Sequence, residues 1–315
     1  MTLQSSGQIS LNDIHVEGGG STGTLASINE SQIRDLIFKG SGSQMSFSEW
    51  YGASKANGLF ALQEIRVSDY ISGGGTFTIP SGGWLWSDDT TTAALTINIP
   101  CTVVNNGYII GKGGAGSSGS PASGFNGGPA ISVTSTGVTI TNSSGAYIAG
   151  GGGGGAAAIE ISTGNISGGG GGAGGGTGGS GEFGAGQPGG GIDQNGTGSG
   201  ATNAGAGGAG GGSGGGRKLP GSGGQYVSPF ASPTPNIGFG GSAGNAGGAG
   251  GVSSSTSSGS TVNFNTGGAG GGWGASGGSV PSGNGLSAAT AGSGGAAITG
   301  TSITLNNNGT IYGST

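Results

Sequence analysis

The pentapeptide Gly-Gly-Ala-Gly-Gly occurs four times in this chain, at Gly171–Gly175, Gly207–Gly211, Gly247–Gly251 and Gly267–Gly271. Similar runs lie at 150–155 and 211–216, and most of the 88 glycines fall in residues 151–315. A glycine run buries no side chain and costs more backbone entropy to order than any other sequence. Such a tract is either a flexible linker or an array in which the backbones themselves pack. Glycine can form left-handed helices of three residues per turn that keep a free N–H, so neighbouring helices can hydrogen-bond sideways. Interior positions then exclude any Cβ except an occasional alanine. Runs of about six to nine residues would span roughly 20–28 Å at ~3.1 Å per residue.

The segments between runs favour the ordered alternative. EFGAGQP, RKLPGSGGQYVSPFASPTPNIGF, SSSTSSGSTVNFN and WGASGGSVPSGNGL hold nearly all the large side chains of the tract. A random linker would not segregate Phe, Tyr, Trp and Pro in this way. These segments are expected to be loops at the two ends of a helix sandwich.

Residues 66–150 read as β-structure. TFTIP, WLWSDD, ALTINIP and VTITNSSGAYIAG alternate apolar and polar residues, with Gly, Asn and Pro at the bends. A repeat runs through this region. Ala94–Ile97 with Val104–Gly111, Ala130–Val133 with Ile140–Gly150, and Ala297–Ile298 with Leu305–Gly313 share the order strand, strand, Asn, Gly, strand, Gly. Ala158–Gly168 reads as a weaker fourth copy. Stacked copies of this kind bury thin apolar ladders, as solenoids do. The C-terminal copy suggests that the chain end packs back onto the β part.

The N-terminal 65 residues carry one helix signal, over Glu30–Lys39, with Asn29 as N-cap, Gln32 as capping-box partner and Gly40 as stop. Ile33, Leu36 and Ile37 supply its apolar face. Phe47, Trp50 and Tyr51 cluster just beyond it, as a small local core, as a docking surface, or as both.

Several function classes are excluded by what is missing. The net charge is −5, and no basic stripe exists to displace counterions from nucleic acid. The single cysteine, Cys101, forms no internal disulfide, and with one histidine no structural zinc site can be built. MTLQSSGQISLND lacks the basic and apolar regions of a secretory signal. His15, the one histidine, has no nucleophile motif beside it. Asp88-Asp89 lacks calcium-loop spacing and reads as a solvated turn. Glu160, Glu182 and Asp193 could supply a glycosidase pair but sit in glycine-rich surroundings. No enzyme activity, cofactor or metal is expected.

The glycine runs between Gly150 and Gly278, with the variable segments between them, resemble the distal tail-fibre adhesins of T-even-like bacteriophages. The N-terminal ISLNDIHVEGGG, SINESQIRDLI and QMSFSEWYGAS look like virion structural proteins of marine phages and cyanophages. The stretch from WLWSDD to AYIAGGGGGG looks like the glycine-rich tips of central tail fibres. The resemblance implies a mostly β and polyglycine II fold. A virion-attachment domain would occupy residues 1–65, a β-repeat region 66–150, a polyglycine II sandwich 151–290 and C-terminal strands 291–315.

It also implies a protein of the virion tail, at a distal fibre or tail tip, made in the host cytoplasm. Such a protein would bind a host outer-membrane protein or surface polysaccharide and other phage tail or fibre proteins. Both a monomer on a trimeric fibre and a homotrimer remain open. Candidate receptor-contact residues are Phe183, Arg217, Lys218, Tyr226, Phe230, Phe239, Phe264 and Trp273; candidate virion-attachment residues are Phe47, Trp50 and Tyr51. The alternative is a purely structural tail component without receptor contact.

Overall fold

The computed structural model describes residues 3–4, 6–37, 39, 42, 44–56, 59–118, 122–159, 166–180, 215–216, 241, 244–249, 252–257, 260–265, 267–280, 282 and 288–315. The fold is mostly strands in parallel sheets, with few helices.

Two short helices open the chain. Helix α1 (Leu11–Glu17) starts at Ser10, whose hydroxyl accepts from the Asp13 backbone N–H while the Asp13 carboxylate accepts from the Ser10 N–H at 2.9 Å. This is a capping box, each side chain satisfying an orphan donor of the other. Helix α2 (Ser31–Asp35) is shorter than the expected Glu30–Lys39, and its N-cap is Glu30 rather than Asn29. The Asn29 side chain is engaged elsewhere, accepting from the Arg34 guanidinium at 2.9 Å. Glu30 turns back to accept from the Ser27 N–H at 2.8 Å. The expected apolar face is nonetheless in place, because Ile33, Leu36 and Ile37 are fully buried.

Beyond them the chain winds as a three-sided parallel solenoid. Strand β1 (Ser54–Ala56) pairs antiparallel with β2 (Leu59–Gln63). Strands β3 (Ile65–Arg66) and β4 (Thr76–Ile79) complete the first coil, so the solenoid begins within the stretch expected to be a separate N-terminal domain. The second coil is β5 (Trp84–Trp86), β6 (Leu95–Ile97) and β7 (Thr102–Asn105). The third is β8 (Tyr108–Ile110), β9 (Ile131–Val133) and β10 (Thr139–Asn142). Strand β11 (Tyr147–Ala149) starts a fourth coil.

That coil is completed some 150 residues later by β16 (Ile298–Gly300) and β17 (Thr304–Asn307), and β18 (Thr310–Tyr312) follows. The three sheets run β2-β5-β8-β11-β18, β3-β6-β9-β16 and β4-β7-β10-β17. Everything between β11 and β16 is therefore one excursion from a single corner.

Register explains the sequence repeat. Leu95, Ile131 and Ile298 stand in line, as do Val103, Ile140 and Leu305, and Ile109, Ile148 and Ile311. Alternate residues point inward, and most of these aliphatics are fully buried. Each contributes on the order of 1.5–3 kcal/mol by leaving water. The helical N-terminus closes one end of the solenoid, since Ile14, Ile33, Leu36, Ile37 and Trp50 share one core cluster with the coil interior.

Two sequence expectations fail within the excursion. The supposed fourth repeat copy does not join the solenoid. Strand β12 (Ala158–Ile159) instead pairs antiparallel with β13 (Ile166–Ser167) as a separate hairpin. The serine-rich SSSTSSGSTVNFN is not an irregular loop either; β14 (Val252–Ser257) and β15 (Ser260–Asn265) form a six-pair antiparallel hairpin over it. Serine is a poor strand signal, but the Thr and Val positions suit a pleated surface.

The glycine segments pack backbone to backbone. Segment 150–157 shows the rule. Its N–H groups at Gly151, Gly154 and Ala157 donate to Gly128, Phe125 and Ala122. Those at Gly152 and Gly155 donate to Ala173 and Gly170, and those at Gly153 and Ala156 to Ala275 and Gly278. Each neighbour is met every third residue.

The carbonyls obey the same period. Gly151 and Gly154 accept from Gly295 and Gly292, Gly152 and Gly155 from Gly114 and Ser117, and Gly153 and Ala156 from Gly271 and Gly268. The segment is thus hydrogen-bonded to six neighbouring stretches. A Cβ on Gly154 would lie 1.8 Å from the Ala115 carbonyl oxygen, and one on Gly152 2.0 Å from that of Gly271. Glycine here is a steric requirement of close backbone approach.

Candidate functional site

The excursion has two ends, and its hydrogen bonds identify them. At the solenoid end, Gly150 donates to Tyr312, Gly274 to Gly150 and Gly295 to Gly151. At the far end, Gly268 donates to Ala156, and Val280 and Ala289 form an isolated bridge. Ala156, Ala158, Val280 and Ala289 make a small buried apolar cluster there. The two hairpins, β12–β13 and β14–β15, continue from glycine segments at this far level.

The expected contact residues divide accordingly. Phe264 lies on β15, its backbone opposite Ser253. Phe183, Arg217, Lys218, Tyr226, Phe230 and Phe239 lie outside the described residues, as do Glu160, Glu182 and Asp193. Trp273 is not an exposed loop residue. It is 4% exposed and sits at the solenoid end, where the sandwich meets an aromatic column. Trp84 stacks on Tyr108 at 4.3 Å between centroids, and Tyr108 on Tyr147 at 5.1 Å with parallel planes. Trp273 closes the column against Tyr147 and Tyr312 at 5.9 and 6.0 Å. Burial of a large aromatic here fastens the root of the sandwich.

Phe47, Trp50 and Tyr51 occupy a 3₁₀ turn capped by Ser46 and Glu49. Trp50 is fully buried, and its indole N–H donates to the Ile33 carbonyl at 2.9 Å. The Tyr51 hydroxyl donates to the Gly7 carbonyl. Glu49 also pairs with Lys39. Trp50 therefore belongs to the local core and half-buried Tyr51 ties it to the N-terminal stretch, whereas Phe47 leans on Trp50 at 6.0 Å and remains 44% exposed.

The titratable groups are largely tied into structure. His15 is buried, with Nε2 2.9 Å from the Thr24 hydroxyl and Nδ1 3.2 Å from Glu30 Oε2 in an arrangement lacking hydrogen-bond geometry. Asp89 accepts from the Thr91 N–H at 2.8 Å and from the Thr91 and Thr92 hydroxyls. The Thr91 N–H above all holds its carboxyl below the usual range. Burial pushes Tyr70 up to about 12, with the nearby Asp69 and Glu49 charges adding to it. Burial also raises the Cys101 thiol. Among the described residues no three His, Cys, Asp or Glu side chains gather as a metal site, and no helix is long and apolar enough to cross a membrane.

Sequence reasoning overlooked one patch. Phe125 is 61% exposed on the side of the sandwich, near the Lys112–Asp88 ion pair. Lys112 and Phe125 stand thirteen residues apart in the β8–β9 connection and Asp88 lies in the β5–β6 connection, so no local motif announces them.

The described residues thus form a parallel solenoid that projects a backbone-packed glycine array from one corner. The chain belongs to the family described as "Phage tail fibre adhesin Gp38", which matches residues 53–248. The protein is accordingly a structural adhesin of a bacteriophage tail fibre. Among solved structures it is similar to the "Crystal structure of the gp37-gp38 adhesin tip complex of the bacteriophage S16 long tail fiber". That similarity has 18% identity and a TM-score of 0.34, over 98% of this chain and 99% of that one. No curated protein matches the sequence.

Proposed function

We propose that this adhesin binds a receptor on the host-cell surface through the connections at the far end of its glycine sandwich, on a fibre held through its N-terminal segment. The supporting observation is the three-residue hydrogen-bond period of segment 150–157, which ties it to six neighbours. That period suits a polyglycine II array, stiff because each backbone group is committed sideways. A stiff array holds its end loops without further ordering cost on binding. The hairpins β12–β13 and β14–β15 continue from the far level of the array, and the receptor contacts are proposed there. Phe264 and Phe183 are the aromatic contacts proposed for this end, since aromatic anchors dominate such interfaces. Arg217, Lys218, Tyr226, Phe230 and Phe239 are proposed as contacts from the remaining long connection.

The N-terminal segment ahead of β2 is proposed to dock on another fibre protein, with exposed Phe47 as its apolar contact. The receptor class is an outer-membrane protein or surface polysaccharide. Fluorescently labelled full-length protein, applied to candidate host strains, tests the reading. Saturable binding that blocks phage adsorption is expected. Absence of binding by folded protein to a strain its phage infects would leave a purely structural fibre component.

A further inference from the structure

The Phe125 ring is mounted on a fixed backbone. Its N–H donates to the Ala115 carbonyl at 2.9 Å, and its own carbonyl accepts from Gly154 at 2.8 Å. That carbonyl also lies where a Cβ on Gly114 or Gly292 would be, at 2.0 and 1.9 Å. The main chain at Phe125 thus cannot shift without disturbing three glycine segments, yet the phenyl ring stands in solvent. Hydrophobic side chains exposed singly need no explanation; one that lines a cavity holding an ion pair does.

The cavity has a volume of 260 Å³, and its lining includes Asp88, Asp89, Thr90, Lys112, Phe125 and Thr177. Lys112 Nζ reaches Asp88 Oδ1 at 3.2 Å. The loop carrying Asp88 is braced from the first coil. Glu64, held in the left-handed region at φ 49°, accepts from the Asp88 N–H at 2.7 Å and from the Ser87 hydroxyl at 2.9 Å. A non-glycine residue at positive φ costs of order 1 kcal/mol, so the surrounding packing enforces this brace. Asp89, its carboxylate already taken by Thr91 and Thr92, shapes the turn.

The chemistry of the lining selects a ligand class. An exposed aromatic face suits the apolar side of a pyranose ring. A carboxylate, an ammonium and two threonine hydroxyls offer acceptors and donors to its hydroxyl groups. The lysine is neutralised by Asp88 and overlooked by Asp89, so the site gives no net positive charge for a phosphate. With less room than the ~300–1,000 Å³ of drug-sized sites, it accepts one sugar ring rather than a chain.

We propose that Phe125, Lys112 and Asp88 form a lateral binding site for an uncharged hexopyranose residue of a cell-surface glycan, distinct from the far-end receptor contacts. A site of this kind gives weak, fast-exchanging attachment, with Kd on the order of 1 mM. It would act by multiplying contacts along a glycan-covered surface.

The test is ligand-observed NMR on the full-length protein with glucose, galactose and N-acetylglucosamine, and inorganic phosphate as control. Saturable binding of at least one hexose is expected. Phe125→Ala should weaken it at least tenfold and Lys112→Gln several-fold, with the melting curve of each variant unchanged. No hexose binding up to about 50 mM overturns the site, as does binding that survives Phe125→Ala. Phosphate binding in place of hexose overturns the ligand class. Adsorption assays keep this site separate from the far-end reading, since Phe125→Ala leaves a far-end receptor contact intact.

Discussion

The side-chain amide of Asn105 donates to Oδ1 of Asn142 at 2.9 Å, and Asn142 donates in turn to Asn307 at 2.9 Å. Asn105 and Asn142 are fully buried, one coil apart, at corresponding ends of β7 and β10. Each also serves the corner that follows: Asn105 donates to the Tyr147 carbonyl and accepts from the Gly107 N–H at 3.0 Å. A buried amide is stable only when satisfied, so the column locks coil to coil in register. Asn142→Ala removes an acceptor and a donor from the middle of it. The expected cost is about 1–3 kcal/mol per group left unsatisfied, read as a lowered denaturant midpoint. Asn142→Ala with wild-type stability would show that the column contributes nothing.

Glycine at the centre of the sandwich admits no substitute. Gly154→Ala places its Cβ 1.8 Å from the Ala115 oxygen, and Gly155→Ala meets the Gly268 oxygen at 2.0 Å. Each should destabilise by roughly 3 kcal/mol or more, at or beyond the upper end of overpacking. Ala156→Gly, at a buried position that already carries a Cβ, should cost only about 1 kcal/mol. Thermal melts of the three variants check the ordering. Equal losses for all three would contradict a backbone-packed array.

Trp273→Ala empties the junction between sandwich and solenoid. The expected loss is about 3–5 kcal/mol, with loss of near-ultraviolet circular dichroism from the stacked column of Trp84, Tyr108 and Tyr147. Phe47→Ala, at an exposed ring, should leave stability within about 0.5 kcal/mol while weakening attachment to the fibre, measured by pull-down with the purified neighbouring fibre protein.

Acid should weaken the fold through its bound carboxylates. The Asp89 carboxyl is held low by Thr91 and that of Asp13 by Ser10. A depressed folded pKa contributes stability present above the unfolded value of about 4 and lost as pH falls through the folded value. The melting temperature should therefore be flat near neutrality and fall below about pH 4. Asp89→Asn should flatten part of that fall, and an unchanged profile would argue against the assignment.

The solenoid was legible because its repeat is a register. The order strand, strand, Asn, Gly, strand, Gly marked three copies, and within them Asn105, Asn142 and Asn307 stand in line in the sheets. The weaker copy at Ala158 failed because a similar apolar pattern serves any short strand, and only pairing distinguishes a coil from a hairpin. Helix α1 was missed although Ser10 and Asp13 carry the capping-box spacing, because seven residues before three glycines give too little periodicity. Trp273 followed a glycine run and read as loop; nothing local tells that Tyr147 and Tyr312 wait for it. The Phe125 cavity joins residues from three connections, β5–β6, β8–β9 and the stretch after β13, that only the folded corner brings together.

Host-cell binding by a variant whose β14–β15 hairpin is replaced by a short Gly-Ser turn tests the central claim most directly. Beside the wild type, the account predicts an unchanged melting curve, unchanged attachment to the fibre and loss of saturable binding to host cells. A folded variant that binds host cells as the wild type does would contradict far-end recognition.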